Sequence, residues 1–302
     1  MYDTAIIGGG PAGLTAAIYL ARFKRKPIIL TENIGGQTAI SGTIENFPGY
    51  KSINGFELIS KMVEQTENFS VEKKTGAGVR NIEKIANGFK MAFGEESVEA
   101  KTILITSGRR HRKLDLDNEE KLIGRGISYC ATCDGAFAKG KDVVVIGGGY
   151  AATEAALILE KIADSVTMIV LDDCLFCEKV TAEKVRQSKS IKVVFNSKTK
   201  ALNEKNGVLE SVEIENVKSK EIQTLKTQMA FVEIGQIANS DIFEDLEKNK
   251  AGEIVIKANN ETSKKGIYAA GDVTNITAKQ TVVACGEGAK AAIAINSYLE
   301  NI

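Results

Sequence analysis

The run Asp3-Thr4-Ala5-Ile6-Ile7-Gly8-Gly9-Gly10-Pro11-Ala12-Gly13 decides the fold. Asp3 to Ile7 reads as a short buried strand, and Leu14 to Phe23 as an apolar helix. Between them Gly8 allows a tight turn, Gly10 lets the backbone approach a pyrophosphate, and Gly13 lets helix pack closely on strand. A G-x-G-x-x-G run alone is a weak signal. Here a second strand, Pro27-Ile28-Ile29-Leu30, follows the helix and ends at the acidic Glu32. Strand, glycine turn, helix, strand and acid together form a dinucleotide fingerprint. The pyrophosphate would sit at the helix N-terminus, and Glu32 would accept the ribose hydroxyls. The expected fold is α/β, doubly wound and Rossmann-like, with helices layered on a largely parallel sheet.

The pattern returns mid-chain. Asp142-Val143-Val144-Val145-Ile146 is a strand, Gly147-Gly148-Gly149-Tyr150-Ala151-Ala152 a turn, and an apolar helix runs to about Ile162. Ser165 to Leu171 is the next strand. Two such units imply two nucleotide-binding domains. Gly266 to Asp272 reads as a late strand ending in Gly-Asp, followed by Gln280 to Ala284 and a small-residue helix through Ala292. No third glycine turn precedes it, so it is expected to complete the first domain. The second domain is then an insertion whose body runs from roughly Leu114 to Phe231. The expected limits are 1–112 with 235–302 for the first domain and 113–234 for the second. The flanks Ser107-Gly108-Arg109-Arg110 and Ile234-Gly235-Gln236 read as a two-strand hinge permitting rotation.

The 302 residues suffice for two ordinary domains, and zero formal charge points to neither nucleic acid nor a membrane surface. No apolar run spans a bilayer, and the opening enters a strand directly without an export signal, so the expected location is cytoplasmic. In a reducing compartment cysteines are more often catalytic or metal-binding than structural. Four of the five form two C-x-x-C pairs, Cys130/Cys133 and Cys174/Cys177; the fifth, Cys285, reads as a helix-packing residue. In Cys130-Ala131-Thr132-Cys133-Asp134-Gly135 two close thiols could form an easily reduced disulfide, and Asp134 could carry protons. The competing reading is half a zinc site completed by Cys174 and Cys177. The redox reading is preferred, with no metal.

These motifs resemble the low-molecular-weight thioredoxin reductase family along essentially the whole chain. The matching stretches are Gly8 to Gly13, Gly35-Gly36-Gln37, Glu45-Asn46-Phe47-Pro48-Gly49, Ser107-Gly108, Cys130 to Gly135, Gly147 to Ala152, Ala269-Ala270-Gly271-Asp272, and Gln280 ahead of Gly286-Glu287-Gly288-Ala289. The resemblance implies FAD in the first site, held by Gly8, Gly10, Pro11, Ala12, Gly13, Thr31, Glu32, Gly35, Gly36, Gln37, Asn46, Ser107, Gly108, Gly271, Asp272, Gln280, Thr281 and Val282. It implies a Cys130–Cys133 disulfide, with Cys133 nearer the flavin and Cys130 attacking a disulfide of thioredoxin or a thioredoxin-like protein. It also implies a homodimer.

One place departs from the family. NADPH-using members close the strand after the second turn with a His-Arg-Arg run and a further arginine. This chain has Val170-Leu171-Asp172-Asp173-Cys174-Leu175-Phe176-Cys177. Carboxylates there repel a 2′-phosphate and forfeit bidentate arginine pairing, so NADPH is expected to be a poor donor. Reduced ferredoxin is put first, because the ferredoxin-dependent flavin thioredoxin reductases resemble this chain in lacking the arginines. NADH, with Asp172 on the ribose, comes second, and a dithiol oxidase last. The run Arg109-Arg110-His111-Arg112-Lys113 would suit an acidic partner such as ferredoxin, though a solvated hinge explains it as well. Cys174/Cys177 could be a second redox pair, a regulatory disulfide or idle thiols. His111, the only histidine, lies outside both turns.

Overall fold

The structure is a computed structural model describing residues 1–41 and 43–302. The chain divides into two compact units, residues 1–110 with 237–302, and residues 111–236. The segments joining them, Arg109–His111 and Gln236–Ala238, pair as a two-stranded sheet.

In the first unit the strands Glu72–Lys74, Pro27–Ile34, Tyr2–Gly9 and Glu96–Ile105 lie side by side in that order. Strand Glu96–Ile105 changes partners along its length. Its first part pairs antiparallel with Gly88–Phe93, and its last part pairs parallel with Ile267–Ala269. The sequence follows this switch. Residues 96–99 expose three of four side chains, whereas Ile103, Leu104 and Ile105 are fully buried, as a strand covered on both faces requires. Alternate residues feed two cores. Ile6, Ile29 and Leu104 meet Leu14, Ala17 and Leu20 of helix Pro11–Arg22 and Ala291 and Ile295 of helix Thr281–Leu299. Ala5, Ile7, Ile28 and Ile105 meet Phe89, Met91 and Phe243 on the other side.

The second unit repeats the plan. Strands Ile127–Ser128, Met229–Val232, Asp142–Ile146, Ser165–Ile169 and Ile191–Val194 form a parallel sheet in that order. Val143 and Val145 pack towards helices Tyr150–Leu159 and Lys179–Gln187. Val144 and Ile146 pack towards a three-stranded antiparallel sheet, residues 197–226, through Leu202, Leu209 and Val212.

Several element ends differ from the sequence expectation. The first helix starts at Pro11, because proline fits the first helical position, where no N–H is needed. Strand Pro27–Ile34 continues past Glu32. The late strand stops at Ala269, because Gly271, at φ +76°, turns the chain into a short 3-10 segment, Gly271–Val273. Helix Thr281–Leu299 outlasts Ala292 because Ile295 and Leu299 continue its buried stripe. Among the described residues no helix is long and apolar enough to cross a membrane.

Candidate active site

The first glycine turn is closed by backbone. Gly8 sits at φ +117°, where a Cβ would lie 2.3 Å from the Thr106 carbonyl oxygen, and a Cβ on Gly13 would lie 2.1 Å from that of Gly8. The Thr106 hydroxyl is within bonding distance of both the Ile7 and Gly8 carbonyls, 3.1 and 2.9 Å, and can donate to one at a time. Gly10 is the N-cap of the first helix and has open space where its side chain would be. Pro11, Ala12 and Gly13 follow it, buried.

The remaining residues expected at the first cofactor gather round this turn. Thr31 Oγ1 accepts from Gly9 N–H at 3.1 Å, Gly35 N–H donates to the Gly9 carbonyl at 2.8 Å, and a Cβ on Gly36 would lie 3.6 Å from the Gly10 Cα. Asn46 Nδ2 donates to Gln280 Oε1 at 3.0 Å, and the Thr281 hydroxyl meets that of Thr38 at 3.0 Å. Gln37 lies on the short helix Gly36–Ala39. Glu32 is exposed, beside Gly78. Ser107 Oγ donates to the Asn239 carbonyl, and Asn239 Nδ2 returns a bond to that of Ser107. Gly108 accepts from Asn239 N–H. Gly271 approaches Ala12, and Val282 lies in the first turn of the last helix.

Asp272 supplies the test of cofactor fit. It is half-buried, and its Oδ1, shut off from solvent, has no hydrogen-bond partner among the described residues. Burial pushes its carboxyl pKa up, against the pull of Lys279 and Arg109. An unpaired buried acceptor of this kind is costly unless a ligand hydroxyl or N–H completes it. A dinucleotide in the Gly10 cradle carries such donors on its sugar chains, so these residues fit FAD. Lys279 is held between the Asp272 and Thr274 carbonyls and the Glu253 carboxylate, 2.9 Å away, which also takes Arg109 at 2.7 Å.

In the second unit, Cys130 and Cys133 are joined as a disulfide at the start of the short helix Ala131–Asp134. The Cys133 N–H points at the Cys130 sulfur, 3.1 Å away. Asp134 accepts from the Ser128 hydroxyl at 2.6 Å, and the same oxygen accepts the Cys130 N–H at 3.1 Å. Ser128, missed in the sequence, thus ties the aspartate to the cysteine. Glu233 was missed as well. Burial pushes its carboxyl pKa up to about 7, with the Ala131 backbone N–H pulling the other way.

The second glycine turn copies the first. Gly147 has φ +141°, and a Cβ there would lie 2.2 Å from the Glu233 carbonyl oxygen. Gly149 caps helix Tyr150–Leu159 over open space. The loop after strand Ser165–Ile169 closes over the turn, with Phe176 N–H donating to the Gly148 carbonyl at 2.7 Å. On that loop Asp172 and Asp173 are exposed, and Lys218 lies 3.9 Å from Asp173.

Cys174 and Cys177 are both free thiols, and among the described residues no three His, Cys, Asp or Glu side chains are grouped to hold a metal. The zinc reading therefore gains nothing from the geometry. Cys285 is partly buried, its thiol pKa pushed up by burial and restrained by a hydrogen bond with Thr15. His111 stacks on Tyr129, with ring centroids 5.6 Å apart. The basic run is mostly internally paired: Arg109 to Glu253, Arg110 to Asp241 at 2.8 Å, and Lys113 to Glu120 at 2.6 Å. Charges already paired offer a weaker field to an acidic partner, which favours the hinge reading of this run over docking.

Comparison with known proteins agrees along the whole chain. The family model described as pyridine nucleotide-disulphide oxidoreductase matches residues 2–288. A protein of Clostridium pasteurianum described as a 34.2 kDa protein in the rubredoxin operon is 37% identical over 98% of this chain and 97% of its own. Thioredoxin reductase of Bacillus subtilis is 35% identical over 100% of this chain and 96% of its own. The crystal structure of Lactococcus lactis thioredoxin reductase in its FR conformation superimposes with a TM-score of 0.88 at 34% identity, covering both chains fully. The likeness to a ferredoxin-flavin thioredoxin reductase from Clostridium acetobutylicum is weaker, 28% identity and a TM-score of 0.55 over 100% of this chain and 99% of that one.

Proposed function

The chain belongs to the pyridine nucleotide-disulphide oxidoreductase family, as an FAD-dependent disulfide reductase of the low-molecular-weight thioredoxin reductase type, and from that premise we propose that it reduces thioredoxin or a thioredoxin-like protein through Cys130 and Cys133, with a reduced pyridine nucleotide as donor. The observation that carries the reading is the disulfide helix next to Asp134 and Ser128. Bound FAD, once reduced by the nucleotide, would supply the two electrons that open the disulfide. Cys130, as thiolate, attacks the substrate disulfide and forms a mixed disulfide. Cys133 then attacks Cys130, releasing the substrate as a dithiol and restoring Cys130–Cys133. Asp134 takes and returns the protons as thiol and thiolate interchange, with Ser128 fixing its carboxylate. In the first unit Gly10, Gly36 and Gly108 leave room for the cofactor, and Asp272 orients its sugar chain.

Similarity to thioredoxin reductases favours a pyridine nucleotide over the reduced ferredoxin put first from sequence. Within that class NADH is preferred to NADPH, because Asp172 and Asp173 stand where a 2′-phosphate needs arginines. We propose that the enzyme works as a homodimer. Anaerobic flavin spectra with NADH, NADPH and chemically reduced ferredoxin, each added alone, test the donor. Bleaching by NADH at lower concentration than NADPH supports the proposal, and bleaching by ferredoxin alone refutes it.

A further inference from the structure

Two cysteine pairs share one spacing and differ in backbone. Cys130–Cys133 is closed over the short helix Ala131–Asp134, with its Cα atoms 5.3 Å apart. Cys174 and Cys177 are open thiols, Cys174 exposed and Cys177 half-buried. The residues between them form no helical turn. Phe176 lies in a parallel bridge with Gly149, and its N–H donates to the Gly148 carbonyl at 2.7 Å. Leu175 is buried in the same core as Ala152 and Val170, and Cys177 packs against that core. A Cβ on Gly148 would lie 3.7 Å from the Cys174 carbonyl oxygen. The second pair therefore brackets the segment that closes the second glycine turn, and it has no place in the mechanism so far.

We propose that Cys174 and Cys177 form a reversible thiol–disulfide site, oxidised by disulfides of the same class as the enzyme's substrate, and that oxidation lifts the loop from the glycine turn at 147–149 and weakens nucleotide binding there. The nucleotide part rests on a pyridine nucleotide being the donor. Three peptide links let the two Cα atoms stand about 11 Å apart at full stretch, and a disulfide needs them at roughly 4.4–6.8 Å. Closing that ring bends residues 175 and 176 out of their pairing with the turn, so the disulfide and the Phe176–Gly148 bond exclude one another. The exposed Cys174, as thiolate, attacks a sulfur of the incoming disulfide, forming a mixed disulfide and expelling one thiolate. Cys177 then attacks Cys174, closing the Cys174–Cys177 bond and expelling the second thiolate. The pair loses two electrons and two protons, and the acceptor gains them as two thiols. A dithiol runs the same steps backwards. Asp172 and Asp173 lie on the same loop, so lifting it also displaces the carboxylates that face the donor's ribose in the proposed function. Linkage is reciprocal, so a bound nucleotide disfavours the disulfide.

The test treats full-length holoenzyme, reduced and desalted, with glutathione disulfide and maps its disulfides by mass spectrometry of non-reduced peptides. A Cys174–Cys177 bond is expected, reversed by dithiothreitol. Hydrogen exchange then reads the turn without any nucleotide. Amides at 147–152 are expected to exchange about fivefold faster or more once the bond forms, and to be unmoved in the Cys174→Ser/Cys177→Ser variant given the same treatment. In anaerobic stopped flow, the NADH concentration giving half-maximal flavin bleaching is expected to be about fivefold or more higher for the oxidised wild type than for the oxidised double variant, which carries the same Cys130–Cys133 bond. No Cys174–Cys177 bond under conditions that re-form Cys130–Cys133 overturns the proposal. So does a bond that leaves exchange at the turn unchanged, which wild-type protein with and without dithiothreitol reads even if the double variant does not fold. If neither NADH nor NADPH bleaches either protein, the donor reading fails instead, and mapping and exchange still decide the thiol site.

Discussion

The two nucleotide halves share a backbone plan and differ at three matched places. Directly after strands Glu96–Ile105 and Met229–Val232 comes a residue that closes the glycine turn: Thr106 in the first half, Glu233 in the second. Each donates its N–H to the strand-end carbonyl at 2.8 Å, to Ile7 and Ile146 respectively. Thr106 turns a short hydroxyl back on its own turn, whereas the matched residue Glu233 carries a half-buried carboxyl whose pKa burial pushes up to about 7. The clamp on the middle glycine is Gly35 in one half and Phe176 in the other. The turn ends in Gly13 in one and Ala152 in the other. Helix Thr281–Leu299 explains part of this. Its Gly288 presses on the Ala12 backbone, where a Cβ would come within 2.2 Å. The same backbone scheme thus closes both turns equally tightly and differs in which residues close them.

The largest effect expected is at the dithiol. Cys133→Ser should keep the flavin spectrum and lose disulfide reductase turnover by about a thousandfold or more, since no thiol remains to resolve the mixed disulfide. Substantial turnover in steady-state assays would break the mechanism. Next, Gly13→Ala should cost the first unit several kcal/mol, on the order of 3, and yield flavin-poor protein, because its Cβ meets backbone that cannot move aside. Gly149→Ala should leave flavin content and melting temperature unchanged and weaken nucleotide binding alone, since only open space surrounds it. Equal flavin loss in both variants would erase the contrast between the turns.

The loop after the second turn can be probed with Asp172→Arg/Asp173→Arg, expected to improve NADPH over NADH by about tenfold in kcat/KM. An unchanged preference would show that this loop does not reach the 2′ position. A smaller effect is expected in stability against pH. Glu233 binds its proton more tightly folded than unfolded, so folding stability declines as pH rises from about 4.5 to about 7. Glu233→Gln should remove that decline, a difference on the order of 2 kcal/mol at pH 8 in urea unfolding. Parallel curves for the two proteins would contradict the raised value.

Much of this architecture is legible because its signals are local. Gly8 to Gly13 and Gly147 to Ala152 declare themselves by spacing, and Cys130 to Asp134 by composition. Residues that act across the fold are not legible in the same way. Thr106, Asn239 and Glu233 matter because segments far apart in sequence meet at strand ends, and nothing in their own neighbourhoods marks them, whereas Ser128 acts on Cys130 and Asp134 close by but is an ordinary serine by type. The antiparallel pairs at 79–93 and 197–216 carry their own signals in Asn87-Gly88 and Asn206-Gly207, hairpin-turn residues that a reading centred on the parallel halves leaves unused. The ion pairs of the basic run at 109–113 are not legible because its partners, Glu253, Asp241 and Glu120, are mostly remote in sequence.

The interrupted first unit also has a consequence for the order of assembly. Its central helix Pro11–Arg22 packs against Thr281–Leu299, and its sheet takes in Ile267–Ala269, both made after the whole of the second unit. Residues 111–236 are contiguous and can close their core as they leave the ribosome, while the opening strands wait with one flank bare. Loop-closure entropy and the aggregation risk of unpaired strands fall on that waiting half. The nascent chain is therefore expected to become protease-resistant first in its middle, reversing the order of synthesis.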